Sequence, residues 1–422
     1  MKKLLRTIIS LIILSMVMAC SLMPVTPTTT RETPRQENRQ TTPTPTKTVP
    51  VSSVSITLGT PQQIFHRGQP DAMGMWNVPD MHTAVLQQPD KSYLLWITGD
   101  IGTRGLGSVA ILSTNDFLTY KNAGPGTPTK AEPVFRPSCR SEDEAPSCKQ
   151  NYDADYVGAN SVITAKNGKD LLMFYEAGNR TSESNPTNVD SDGWEYNVMA
   201  LARSADNGLT WRRQGVVLSG RDPKPASKPG TGQPGISEPG AIVVNGFIYM
   251  VYQYIPNQDS EPEAPSVIEV ARSPVVSDGM PGSWTKYYNG SFGSQPGLGG
   301  LGSPVVTTGK GTGCTRPVQV WPVYSTYLDA YVLLFLANEG WFFSTSTDLV
   351  KWTPPAQFLD MTMWREDQPM DWNYILVTPG NPGDVIDRTG YVLYASASSR
   401  KESGGGHELW VRPFTFNKSP MR

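Results

Sequence analysis

Histidine is nearly absent from this sequence, with three in 422 residues, and cysteine is scarce, with four. No cluster of these residues has zinc-ligand spacing, so no zinc site is expected. Charge of one sign is also lacking. Lys and Arg number 36 against 38 Asp and Glu, and the formal net charge of −2 provides no basic field for a polyanion. Nucleic acid is excluded as an expected partner. The one long apolar run, residues 8–18, is too short to span a bilayer as a permanent helix.

Glycine (39) and proline (37) are plentiful, and charged residues make up only 18 % of the chain. This composition favours short strands and turns over helices. Residues 1–19 read as a targeting segment, with Lys2, Lys3 and Arg6 ahead of the apolar run. The run ends Val17-Met18-Ala19-Cys20, which resembles a bacterial lipoprotein lipobox. That resemblance implies lipidation of Cys20 and a position on the extracytoplasmic face of the bacterial cell membrane. Residues 20–53 are mostly Thr, Pro, Ser, Gln, Arg and Glu, with no apolar period to offset ordering entropy, and read as a disordered tether. The folded domain is expected over 54–422. Cys139 and Cys148 lie close together in a polar loop and are expected to form a local disulfide, leaving Cys314 as a buried small residue.

Residues 204–211, Ser-Ala-Asp-Asn-Gly-Leu-Thr-Trp, follow an apolar stretch and precede another, as a β-hairpin requires. Related turns follow Ser113 (with Asp116 and Tyr120), Ser273 (with Asp278, Gly279 and Trp284) and Ser346 (with Asp348 and Trp352). A fifth apolar strand, 408–414, lacks the turn. Ahead of each stands another strand pair: 83–86 with 93–97, 161–164 with 171–175, 241–244 with 247–252, 304–307 with 331–336, and 374–377 with 391–395. Five such units predict an all-β chain, a five-bladed β-propeller of four-stranded antiparallel blades.

Ser204, Asp206, Gly208 and Trp211 resemble the Asp box of sialidase-like propellers, and 346–352 resembles a turn common in five-bladed glycoside hydrolases. In layout the chain is similar to the family 43 arabinanase and β-xylosidase group and the family 32 invertase group. Arg136 and Arg221 stand in Phe-Arg-Pro and Arg-Asp-Pro triplets that are coincidental matches to sialidase and invertase motifs. The resemblance implies a glycoside hydrolase with Asp80 as base, Glu238 as acid and Asp155 as the carboxylate that adjusts the acid. An inverting reaction follows, or a retaining one with Asp80 as nucleophile. The second unit places Gly158 or Asn160 where that third carboxylate is expected. His82, Trp76, Asn160, Asp371, Trp372 and His407 are candidates for contact with a sugar along the axial funnel. A carbohydrate partner, a membrane contact through the N-terminal lipid and a monomeric chain are expected. No cofactor is expected, with an axial calcium ion left open. The rival reading is a propeller that binds glycan or protein without catalysis.

Overall fold

The computed structural model describes residues 42–45, 54–102, 107–139, 151–179, 196–222, 234–257, 265–306, 308, 317–361, 370–397 and 406–418. Among these the chain is all-β. The only helical element among the described residues is one 3₁₀ turn, Val275–Ser277. Cys20, Cys148 and Cys314 lie outside the described residues; Cys139 is disulfide-bonded.

Most of the described strands can be grouped into five antiparallel units, drawn from sheets of five, nine, five and four strands. The first comprises Ala84–Gln87, Tyr93–Asp100, Gly107–Thr114 and Lys121–Asn122. The second comprises Tyr156–Thr164, Leu171–Asn179, Tyr196–Ser204 and Arg212–Leu218. The third comprises Gly235–Val244, Phe247–Ile255, Val267–Pro274 and Thr285–Tyr288, with Ser291–Pro296 beyond. One parallel pairing, Asn197 with Gly235, joins the second and third into a nine-stranded sheet. The fourth comprises Val318–Ser325, Ala330–Ala337, Gly340–Ser346 and Ala356–Asp360. The fifth takes Met370–Val377, Thr389–Ala397 and Glu408–Lys418 from the end of the chain and its outer strand, Val54–Leu58, from the start. Sequence 408–414 lacks a following turn, and among the described residues its outer partner is the N-terminal strand Val54–Leu58.

Two expectations are corrected. The first strand of the fourth unit is Val318–Ser325, not 304–307. Pro322 obscured it, and this proline is tolerated because it stands on a first strand, where it closes against Gly240 of the third unit. The turn partner of Asp116 is Thr114 rather than Ser113: Thr114 Oγ1 donates to Asp116 Oδ1 (3.2 Å) as Ser204 Oγ does to Asp206 Oδ1 (2.7 Å) and Ser346 Oγ to Asp348 Oδ1 (3.1 Å). In each turn the aspartate accepts amide hydrogens two to four residues on, and the residue before or at the bend takes a positive φ: Phe117 at 61°, Asn207 at 60°, Leu349 at 63°.

The core lies between units. Trp96 of the first unit is fully buried with Ala159, Tyr175 and Ala200 of the second. Phe174 and Met199 of the second meet Ile236 and Tyr252 of the third, and Val251 and Val270 of the third meet Val320 and Phe335 of the fourth. A larger cluster joins the fourth, fifth and first units, with Trp341 stacked on Tyr374 at 4.1 Å. A four-stranded sheet has two apolar faces, and each is covered by a neighbouring sheet; every fully buried Val, Leu, Ile or Phe there contributes roughly 1.5–3 kcal/mol.

Candidate active site

The first strands of the second to fifth units all break register at one level. The irregularities fall at Asn160, between Ser237 and Gly240, between Val318 and Trp321, and between Trp372 and Ile375. A bulge turns the extra residue's side chain out of the pleat. The residues so turned include Asn160, Glu238, Gln319 and Asn373. The last three hold left-handed backbone conformations, with φ of 45°, 56° and 59°. Non-glycine residues in that region cost roughly 1–3 kcal/mol each and persist where their surroundings over-determine them. In the first unit the corresponding stretch follows the cis Val78-Pro79 bond, and the Asp80 amide donates to Thr98 O (2.9 Å).

These positions are wired to one another. Gln319 Nε2 donates to Glu238 Oε1 (3.1 Å) while its Oε1 accepts the Asn373 amide (2.9 Å), so the orientation of the Gln319 side chain is set by a backbone donor. Asn373 Nδ2 reaches Pro79 O (3.4 Å), and Tyr156 OH donates to Asp80 O (3.2 Å). Below Glu238, Glu176 Oε2 accepts both the Glu238 amide (2.6 Å) and the Ser237 hydroxyl (3.0 Å). All five units are thereby linked around a common axis.

Glu238 keeps part of its surface open, yet protein encloses the rest, and this desolvation pushes its pKa up to about 7 against the lowering effect of the Gln319 hydrogen bonds. Asp80 differs: its side chain is 40 % exposed and its Oδ1 lies 3.9 Å from His407 Nε2. That contact is not an ion pair at neutral pH, because burial lowers His407 to about 4. His407 is held edge-on against Trp372, centroids 4.6 Å apart. His82 is fully buried beside Trp321 (5.3 Å) and pushed down to about 3 by the same desolvation. Two neutral histidines and two buried tryptophans thus flank the carboxylates.

The remaining candidates scatter. Asn160 is fully buried and joins the ring, its Nδ2 donating to Gly158 O (3.1 Å). Asp155 stands five residues earlier, about 15 Å along an extended strand, with its amide on Gly178 O (3.1 Å). Trp76 lies over Gly68, whose added Cβ would meet the indole at 2.6 Å. Asp371 accepts from Ser396 Oγ (2.6 Å) and Tyr374 OH (3.1 Å) and lines a separate pocket with Arg67, Glu408 and Trp410. Arg221 lies over the Tyr254 ring at 5.0 Å, and the Arg136 carbonyl accepts from Arg213 Nη2 (2.5 Å). Among the described residues, no three His, Cys, Asp or Glu side chains converge as ligands, so the axial calcium left open by the sequence finds no such set.

No protein-family model and no curated protein matches the chain. Solved structures do. A family 117 glycoside hydrolase produced by the marine bacterium Zobellia galactanivorans superposes with a TM-score of 0.50 at 13 % identity, covering 88 % of this chain and 92 % of that one. A BT0996 RGII complex gives 0.54 at 14 % identity, covering 88 % and 96 %. Another glycoside hydrolase gives 0.50 at 13 %, with the same coverage. The chain shares the all-β, propeller-type fold of these proteins.

Gln319 and Glu176 were not legible in the sequence, whereas Asn373 follows Asp371 and Trp372 at the start of the fifth unit. Gly302, just ahead of the expected strand 304–307, lies by Glu269, where an added Cβ would stand 1.9 Å from the carboxylate. Glu176 sits mid-strand in an apolar run and carries no local signal. Glu238 and Asn160 lie inside strands that begin several residues earlier than expected, at Gly235 and Tyr156.

Proposed function

We propose that this chain is a five-bladed β-propeller glycoside hydrolase, its five units being the blades, that cleaves a poly- or oligosaccharide with Glu238 as general acid and Asp80 as general base. The observation that carries the reading is the contrast between two partly exposed carboxyl groups of one ring: Glu238, desolvated enough to be raised to about 7, and Asp80, with 40 % of its side chain exposed. Divergent environments assign opposite roles to two acids. Glu238 holds its proton near neutrality and delivers it to the leaving glycosidic oxygen. Asp80 takes a proton from the water that attacks the anomeric carbon, which makes the reaction inverting. Gln319 and Glu176 keep Glu238 in its left-handed conformation, with Glu176 supplying from the second blade the carboxylate that the sequence sought at Asp155. The shared fold with glycoside hydrolases supports the substrate class.

A panel of neutral and acidic plant and microbial glycans, assayed for retention and for released reducing ends, tests the reading. Release that disappears in Asp80→Asn and Glu238→Gln, with inversion at the anomeric carbon seen by NMR, is the expected result. Retention without release would instead establish the binding-only reading, which Asn160 in the second ring position favours. The N-terminal lipid anchor and cell-surface location form part of the proposal, checked by metabolic labelling of Cys20 with a fatty acid.

A further inference from the structure

Residues 42–45, Thr-Pro-Thr-Pro, belong by composition to a spacer, yet they are seated on the folded domain. The Thr42 amide donates to Val243 O (2.8 Å) and its hydroxyl donates to Asp384 Oδ2. Thr44 Oγ1 donates to Asn245 Oδ1 (2.8 Å), and Tyr331 OH donates to Pro43 O (3.1 Å). Thr42 is 3 % exposed. Val243, Asn245, Tyr331 and Asp384 come from three different units, so no single hairpin captures the segment.

The place of attachment is specific. First strands run from the ring of Asn160, Glu238 and Gln319 toward Thr164, Val244 and Ser325, and the segment sits at this second end. A cavity opens there, lined by Val85, Ser161, Val162, Ala241, Trp321 and Asp384. Two of the residues that hold or line it, Val243 and Asp384, are the partners of Thr42. Trp321, which lines this cavity, packs on His82.

We propose that the end of the axis remote from Glu238 is a docking surface for the chain's own Thr-Pro segment, which is seated beside the cavity and fixes where the preceding chain joins the folded domain. The chemistry fits that occupant. Two prolines hold the segment extended, so little conformational freedom is lost on binding, and alternating threonines present hydroxyls to Asp384 and Asn245. The joining point then lies at the end of the first strands opposite the ring of Asn160, Glu238 and Gln319. This inference does not rest on the proposed hydrolysis.

In the full-length chain, Thr44→Cys with Asn245→Cys should cross-link without added oxidant catalyst, read as a linked peptide by non-reducing mass spectrometry. Adding Asp384→Ala should reduce that yield roughly tenfold, as loss of a charge-assisted hydrogen bond would. A yield no higher than that of Thr44→Cys with Asn289→Cys, an exposed turn outside the docking surface, overturns the proposal. As a second reading that needs no engineered cysteine, trypsin should cut after Lys47 roughly tenfold faster in Thr42→Ala/Thr44→Ala than in the parent. Equal rates in two well-folded proteins also overturn it.

Discussion

Glu238 is the side chain whose environment has the most consequences. A carboxyl group raised to about 7 in the folded chain binds its proton more tightly than it does in the unfolded chain. Between the ordinary value of 4.5 and about 7 the folded state therefore holds more protons, and stability falls as pH rises through this window. Glu238→Gln removes the titration. Denaturant unfolding should show this variant more stable than the parent at pH 8, by roughly 1–3 kcal/mol after allowance for its partial exposure, and indistinguishable at pH 4. The same protonation governs catalysis. The turnover number should be high below pH 7 and decline as pH rises through it; a profile flat to pH 9 would exclude Glu238 as the acid. Glu176→Gln keeps the shape but weakens the acceptor for the Glu238 amide. It should lower kcat roughly tenfold with KM little changed and move the alkaline limb, a shift that a merely stabilising role would not produce.

At the scale of elements, two kinds of local geometry divide the labour. Outer turns are built from residues two to four apart. At Ser204 the hydroxyl accepts the Gly208 amide (2.8 Å), and Gly208 at φ +87° lies against the Trp96 indole. Gly208→Ala combines an unfavourable φ with a Cβ only 2.6 Å from that ring, and calorimetry should show a loss of about 2–4 kcal/mol without loss of catalytic constants per folded molecule. First-strand bulges are built differently. The strained conformations at Glu238, Gln319 and Asn373 are held by groups from other units, chiefly Glu176, Asn373 and Pro79. A bulge therefore depends on its neighbours' register, and its damage should propagate along the ring.

The folded domain pairs its first described strand, Val54–Leu58, with its last, Glu408–Lys418. Ile56 of the first strand faces Phe416 of the last, and both are buried in the cluster that joins the fourth, fifth and first units. Phe416→Ala should cost about 3–5 kcal/mol, as a fully buried phenylalanine does, and chemical denaturation of the variant against the parent measures it. The sequence by itself determined what lies within a few residues: the all-β class, the aspartate turns and the alternation of short strands with turns. Turn chemistry is local, so a short window contains all of its partners. Only the tertiary structure decided that the fifth unit borrows 54–58, that Val318–Ser325 and not 304–307 carries the fourth ring residue, that Glu176 hydrogen-bonds the Glu238 amide, and that Thr42 and Thr44 meet Val243 and Asn245. Each of these joins residues tens to hundreds of positions apart. Desolvation, which sets the Glu238 proton, is a property of the space that all five units enclose, and no window of sequence contains it.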